Sequence, residues 1–168
     1  MSWNKYLFIL LTCIGSSCGG VKYGLSGINI PPEIKNVTVK LFVNKAPLVN
    51  PILAQVYTEK LKDKFINQTS LVLANQEGDW EFDGSITEYG VTPLNRQTIE
   101  GGTRNKLTIS VNVKFTDRKE TMPDFEKSYT RFLDFDAGQD FAALESGLVD
   151  EITETLIQDV FNDTALRW

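Results

Sequence analysis

Histidine is absent from all 168 residues, and cysteine occurs only twice, as Cys13 and Cys18. Without an imidazole there is no Ser-His-Asp or Cys-His nucleophilic system, no histidine zinc site and no ordinary neutral-pH general base. Cys-x-x-Cys, GxGxxG, phosphate-loop and GxSxG patterns are missing as well. An enzyme made from this chain would have to work with carboxylates alone, as glycosidases do. The sequence therefore points to a non-enzyme that needs no cofactor and no metal. Basic residues are also in deficit, with 17 Lys and Arg against 22 Asp and Glu, net −5. That balance argues against a nucleic-acid partner, which requires a basic face to displace counterions.

Long apolar runs are missing too. Leu7 to Ile14 is the greasiest stretch, far short of the roughly 20 residues that span a bilayer. Lys5 precedes it, and the small residues Gly15, Ser16 and Ser17 follow it. A positive start, a short apolar run and a small-residue zone describe a secretory signal, here residues 1–17. Cys18 comes next and resembles the acylated cysteine of a bacterial lipoprotein. Gly15 stands where an aliphatic residue is usual, with Ile14 one step earlier. Cys13 is the other candidate, with Leu10 three residues before it, but its apolar run is too short. Acylation of Cys18, for instance with palmitate, and loss of Cys13 would leave the mature chain without a disulfide. Two or three acyl chains hold a protein stably to a membrane, where one does so only marginally.

The remaining 151 residues carry 16 basic and 22 acidic side chains, net −6, and fit one domain. Residues 18–32 read as a lipidated tether, rich in Gly at 19, 20 and 24 and closed by Pro31-Pro32; the domain is 33–168. Lys35 to Val43 alternates, placing Val37, Val39, Leu41 and Val43 on one side of a strand. Asn50-Pro51 is expected to open a helix, with Leu53, Tyr57, Leu61 and Phe65 in one stripe and Asn67 near its end. Lys60, Lys62 and Lys64 are expected near its negative pole.

Ser70 to Ala74 reads as a short strand. Trp80, Phe82, Gly84 and Ile86 then alternate, and the strand continues through Tyr89 and Val91 to Pro93. Leu107 to Phe115 and Phe125 to Phe135 supply two further strands. Asp140 can cap a last helix, on which Leu144, Leu148, Ile152, Leu156 and Val160 recur at spacings of four. Strands polar on one face need cover only on the other. The expected fold is thus α/β (α+β), a two-layer sandwich of a mixed β-sheet packed against two amphipathic helices.

Several side chains invite chemistry. Asp134, Asp136, Asp140 and Glu145 imitate a calcium loop, but Gly138 falls at position 5 rather than 6, so a capped, solvated turn is expected. Glu81 and Asp83 share a strand face, where neighbouring acids usually face solvent, and they do acid–base work only in a pocket that separates their pKa values. Asp163-Thr164-Ala165 matches an O-glycosylation sequon of some periplasmic proteins. The Pro93–Lys106 connection holds Arg96, Arg104 and Lys106 against one acid, Glu100. Such a tip suits anionic groups, because Arg and Lys give charge-assisted bonds to phosphates; a plain solvated loop is the other reading.

Taken in order, Cys18-Gly19 with Tyr23, "PLVNPILAQVYTEKLKDKF", "GDWEFDGSITEYGVTP", "NKLTISVNVKFTD", "FEKSYTRFLDFD" and the acidic helix ending at Trp168 resemble the LPS-assembly lipoprotein family LptE, in its Bacteroidota form. The resemblance spans nearly the whole mature chain. It implies an outer-membrane lipoprotein on the periplasmic side, anchored at Cys18 and plugging the β-barrel LptD during lipopolysaccharide transport to the surface. It also implies that loop cations touch LPS, for which Arg96, Arg104 and Lys106 are the candidates. The absence of acids after Cys18, in Gly19-Gly20-Val21-Lys22, favours the inner leaflet. The competing reading is a periplasmic lipoprotein activator of a peptidoglycan synthase, and a carboxylate hydrolase using Glu81 or Asp83 is a distant third.

Overall fold

The computed structural model describes residues 28, 30–48, 50–94 and 103–166. Along the chain come β1 (Asn36–Val39), β2 (Val43–Asn44), α1 (Leu53–Gln68), β3 (Val72–Leu73), β4 (Trp80–Leu94), β5 (Arg104–Asp117), β6 (Phe125–Asp136) and α2 (Phe141–Ala165). The sheet order is β3-β1-β4-β5-β6, with β2 also beside β4. β4, β5 and β6 run antiparallel as two long hairpins, while β1, β2 and β3 join in parallel. The sheet is therefore mixed, and the two helices cover one face of it, as the periodicities require.

That face is apolar because alternate residues of each long strand point to it. Phe82, Phe115, Val113, Val111 and Ile109 are fully buried there. Against them α1 packs Leu53, Tyr57, Leu61 and Phe65, and α2 packs Ile152, Leu156, Val160 and Phe161. The switch from even positions at Trp80, Phe82 and Ile86 to the odd Tyr89 has a structural cause. Pairing with β5 slips between Ile86 and Glu88, so Thr87 is an inserted residue. A bulge of one residue reverses which face the following side chains meet.

The stretch Lys35–Val43 departs from expectation. Val37 and Val39 are buried, but the strand breaks at Lys40, Phe42 turns into the core, and Leu41 and Val43 are left exposed. The aromatic ring wins because it buries more area than either aliphatic side chain. Phe42 lies 4.9 Å from the Tyr57 ring, and its N–H donates to Thr58 Oγ1 at 3.1 Å. The ring also sits against the backbone of Gly84, where a Cβ would come within 2.6 Å of it and 2.2 Å of the Asn112 carbonyl oxygen. Only glycine leaves that space.

Both helix starts bear on the expectations. Asp140 accepts a bond from Ala142 N–H at 3.1 Å and caps α2. Asn50 accepts from Ile52 N–H at 3.1 Å, but Pro51 and Ile52 form a turn and α1 begins at Leu53. The lysines of α1 lie before its last turn. Lys60 pairs with Asp150 and Lys64 with Glu154 across the helix–helix seam, while Lys62 pairs with Glu59 on its own helix.

Candidate functional site

The uncovered face of the sheet is built from the other half of each alternation. On β5 it carries Arg104, Lys106, Thr108, Ser110, Asn112, Lys114 and Thr116, flanked by their partners on β4 and β6. Its centre is a hydroxyl ladder. Ser110 donates to Glu88 at 2.8 Å and shares a 2.8 Å bond with Thr130, so one chain of hydrogen bonds crosses three strands. Gly90, Thr108 and Phe132 form the next row, with open space above Gly90 and Phe132 53% exposed.

Beyond that row lie two of the three expected cations. Both sit on β5 rather than in a loop, because β4 runs on to Leu94 and β5 starts at Arg104. Lys106 pairs in register with Asp134, and Arg104 with Asp136. Neither head group forms an ion pair among the described residues. Lys106 instead holds its ammonium 4.2 Å from the Phe132 ring centre, a cation–π contact. Arg104 donates from Nη2 to the Asp134 carbonyl at 3.1 Å. Their charges are thus oriented without being neutralised by direct contact. Arg96, like Cys13 and Cys18, lies outside the described residues.

At the opposite end of the same face Glu81 corrects the expectation of a solvent-facing acid. It is 9% exposed, clamped by Arg118 at 2.8 Å and by Lys40. The hydrogen bond from Arg118, then that from Lys40, holds its carboxyl below the usual range. Asp83 accepts from Gly84 N–H at 2.7 Å. An ionised carboxylate locked between two cations is poorly placed to donate a proton.

The calcium-like window is dispersed. Asp136 accepts from Gly138 N–H at 2.8 Å and Asp140 caps α2. Glu145 receives Asn50 at 3.0 Å and the Tyr89 hydroxyl on the helix side of the sheet. Burial and that bond push the Tyr89 phenol up to about 12. Among the described residues no group of three His, Cys, Asp or Glu is arranged around a metal-sized space. The glycosylation sequon meets a steric obstacle, since Thr164 is fully buried and its hydroxyl donates to the Val160 carbonyl at 2.9 Å. Phe132 was missed, although an aromatic among Ser128, Thr130 and Asp134 is a legible anomaly in the polar half of β6.

Fold and face together define a small two-layer α+β domain that presents a polar sheet surface ending in oriented cations, with no catalytic constellation among the described residues. Residues 34–164 match the family model described as LptE, lipopolysaccharide-assembly, and the chain belongs to that family. No curated protein sequence matches it. Among solved structures, a minor lipoprotein from Acinetobacter baumannii superimposes with a TM-score of 0.55 at 15% identity, covering 80% of this chain and 95% of that one. The protein XCC0632 from Xanthomonas campestris gives 0.53 at 9% identity, covering 83% and 90%. At these identities the likeness speaks for the fold alone. No described helix is long and apolar enough to cross a membrane.

Proposed function

We propose that this protein is a non-catalytic outer-membrane lipoprotein, acylated at Cys18, that sits on the periplasmic side. Its sheet enters the lumen of the β-barrel LptD and assists delivery of lipopolysaccharide to the surface. The observation that carries this reading is the family match over residues 34–164. The geometry supports it physically. A barrel wide enough to pass a glycolipid needs filling, and its interior is polar. A sheet with one hydroxyl-rich face can meet that wall without losing its own core. The 15 residues of β4 span about 50 Å, against about 30 Å of hydrocarbon.

In this arrangement Arg104 and Lys106 face the anionic groups of lipopolysaccharide, for which oriented guanidinium and ammonium groups are suited; Arg96, outside the described residues, is the third candidate by sequence. The test is purification of the tagged full chain from detergent-solubilised envelopes. The barrel should co-purify in near-equal amount. Replacing Arg96, Arg104 and Lys106 by Glu should keep the barrel but lower retained lipopolysaccharide several-fold. A chain that comes out alone, or with a peptidoglycan synthase, would refute the reading.

A further inference from the structure

On the uncovered face two neighbouring rows differ in what they leave free. Ser110 is committed, since its hydroxyl bonds to Glu88 and to Thr130. One row nearer the Arg104 end, Thr108 lies between Gly90 and Phe132, and its hydroxyl has no partner among the described residues. A Cβ on Gly90 would meet nothing within 4 Å, and its backbone lies outside the left-handed region. Neither crowding nor a turn calls for glycine there, unlike at Gly84. A glycine inside a strand also marks a place where a ligand comes close to the backbone.

The far side of this bare patch, two strand spacings or about 10 Å from Gly90, is walled by Phe132. The ring stays 53% exposed with the Lys106 ammonium 4.2 Å from its centre. Lys106 stands opposite Asp134, where unlike charges ordinarily pair. Held on the ring instead, its ammonium forms no ion pair among the described residues, and the Asp134 carboxylate is left as an open acceptor. Glu88 adds a second carboxylate two residues from Gly90, with one oxygen on Ser110.

A bare phosphate would meet two carboxylates here as well as one cation, so the row does not suit a simple anion. A sugar suits it better. The C–H face of a hexose ring is apolar, and each of its hydroxyls both donates and accepts. Sites of this kind combine an aromatic wall with a few placed polar groups. We propose that the Gly90–Thr108–Phe132 row is a saccharide seat. One hexose ring lies over Gly90 and Thr108 against Phe132, and its hydroxyls bond to Lys106, Glu88 and Asp134. This rests on the reading above, in which the sugar belongs to lipopolysaccharide and its attached anionic groups point towards Arg104.

The test follows amide NMR shifts of the isotope-labelled, lipidated full chain in detergent. The probe is oligosaccharide released from the native cell's lipopolysaccharide and stripped of phosphate, so that binding to cations alone does not register. Shifts should centre on Gly90, Thr108 and Phe132. Gly90→Leu fills the patch without meeting a neighbour or changing a charge, and Phe132→Leu removes the ring; each should weaken binding about five-fold. Phe132→Tyr should bind like the parent, as should Ser128→Leu two rows away on the same face. Shifts centred elsewhere, or parental binding by Gly90→Leu, overturn the proposal. Peptidoglycan glycan fragments carry the same chemistry, and tighter binding of these overturns lipopolysaccharide as the occupant. If the oligosaccharide does not bind while the barrel still co-purifies, the seat falls and the plug reading stands. If it binds but no barrel co-purifies, the plug reading falls instead.

Discussion

Along β6 the helix-facing side of the outer edge carries Lys127 and Arg131, which reach Asp163 and Asp159 of α2. The opposite edge presents Val43, Val72 and Leu73 instead. Both are open rows of backbone donors and acceptors, yet only one is guarded. Charged residues turned inward on an edge strand discourage another strand from adding to it. The β6 edge has 12 residues to protect, whereas the aliphatic edge is stepped and broken at Lys40. A sheet guarded on one side and aliphatic on the other is asymmetric by construction.

The comparison can be broken most severely at Phe42, which holds the step in the aliphatic edge. Phe42→Ala should lower the unfolding free energy by about 3–5 kcal/mol in denaturant titration, as for other buried aromatics. The same truncation at the exposed Phe132 should cost no more than about 0.5 kcal/mol. A loss at Phe42 no larger than at Phe132 would mean that the ring does not fix the edge. A smaller effect on stability is expected at β6. Replacing Lys127 and Arg131 together by Val removes two half-exposed ion pairs, worth about 1 kcal/mol or less each. It should also increase concentration-dependent self-association in analytical ultracentrifugation relative to the unsubstituted chain. An unchanged sedimentation profile would show that these cations do not guard the edge.

Much of this was legible in the alternation of the chain. The three long strands, both helices and the layering follow from period-two and period-four patterns that tertiary packing had no reason to override. The shift from Ile86 to Tyr89 even announces the bulge. Other features were hidden because one side chain outbid the pattern. At Lys40–Val43 a perfect alternation of aliphatics lost to Phe42, whose burial depends on Gly84 and Tyr57 elsewhere in the chain. Glu81 reads as an outward acid until Arg118, 37 residues away, folds over it. Lys127 and Arg131 stand in the apolar half of β6, which makes sense only once α2 supplies their carboxylates. Arg104 and Lys106 were found as cations but placed in a loop, since strand ends carry no marker of their own.

The central claim is that this domain works as a lipid-anchored plug in lipopolysaccharide export. Depleting the protein in its native cell and measuring lipopolysaccharide at the surface tests it most directly. The account predicts a steep fall in surface lipopolysaccharide, with the molecule accumulating inside the envelope. Undiminished surface lipopolysaccharide after complete depletion would contradict it.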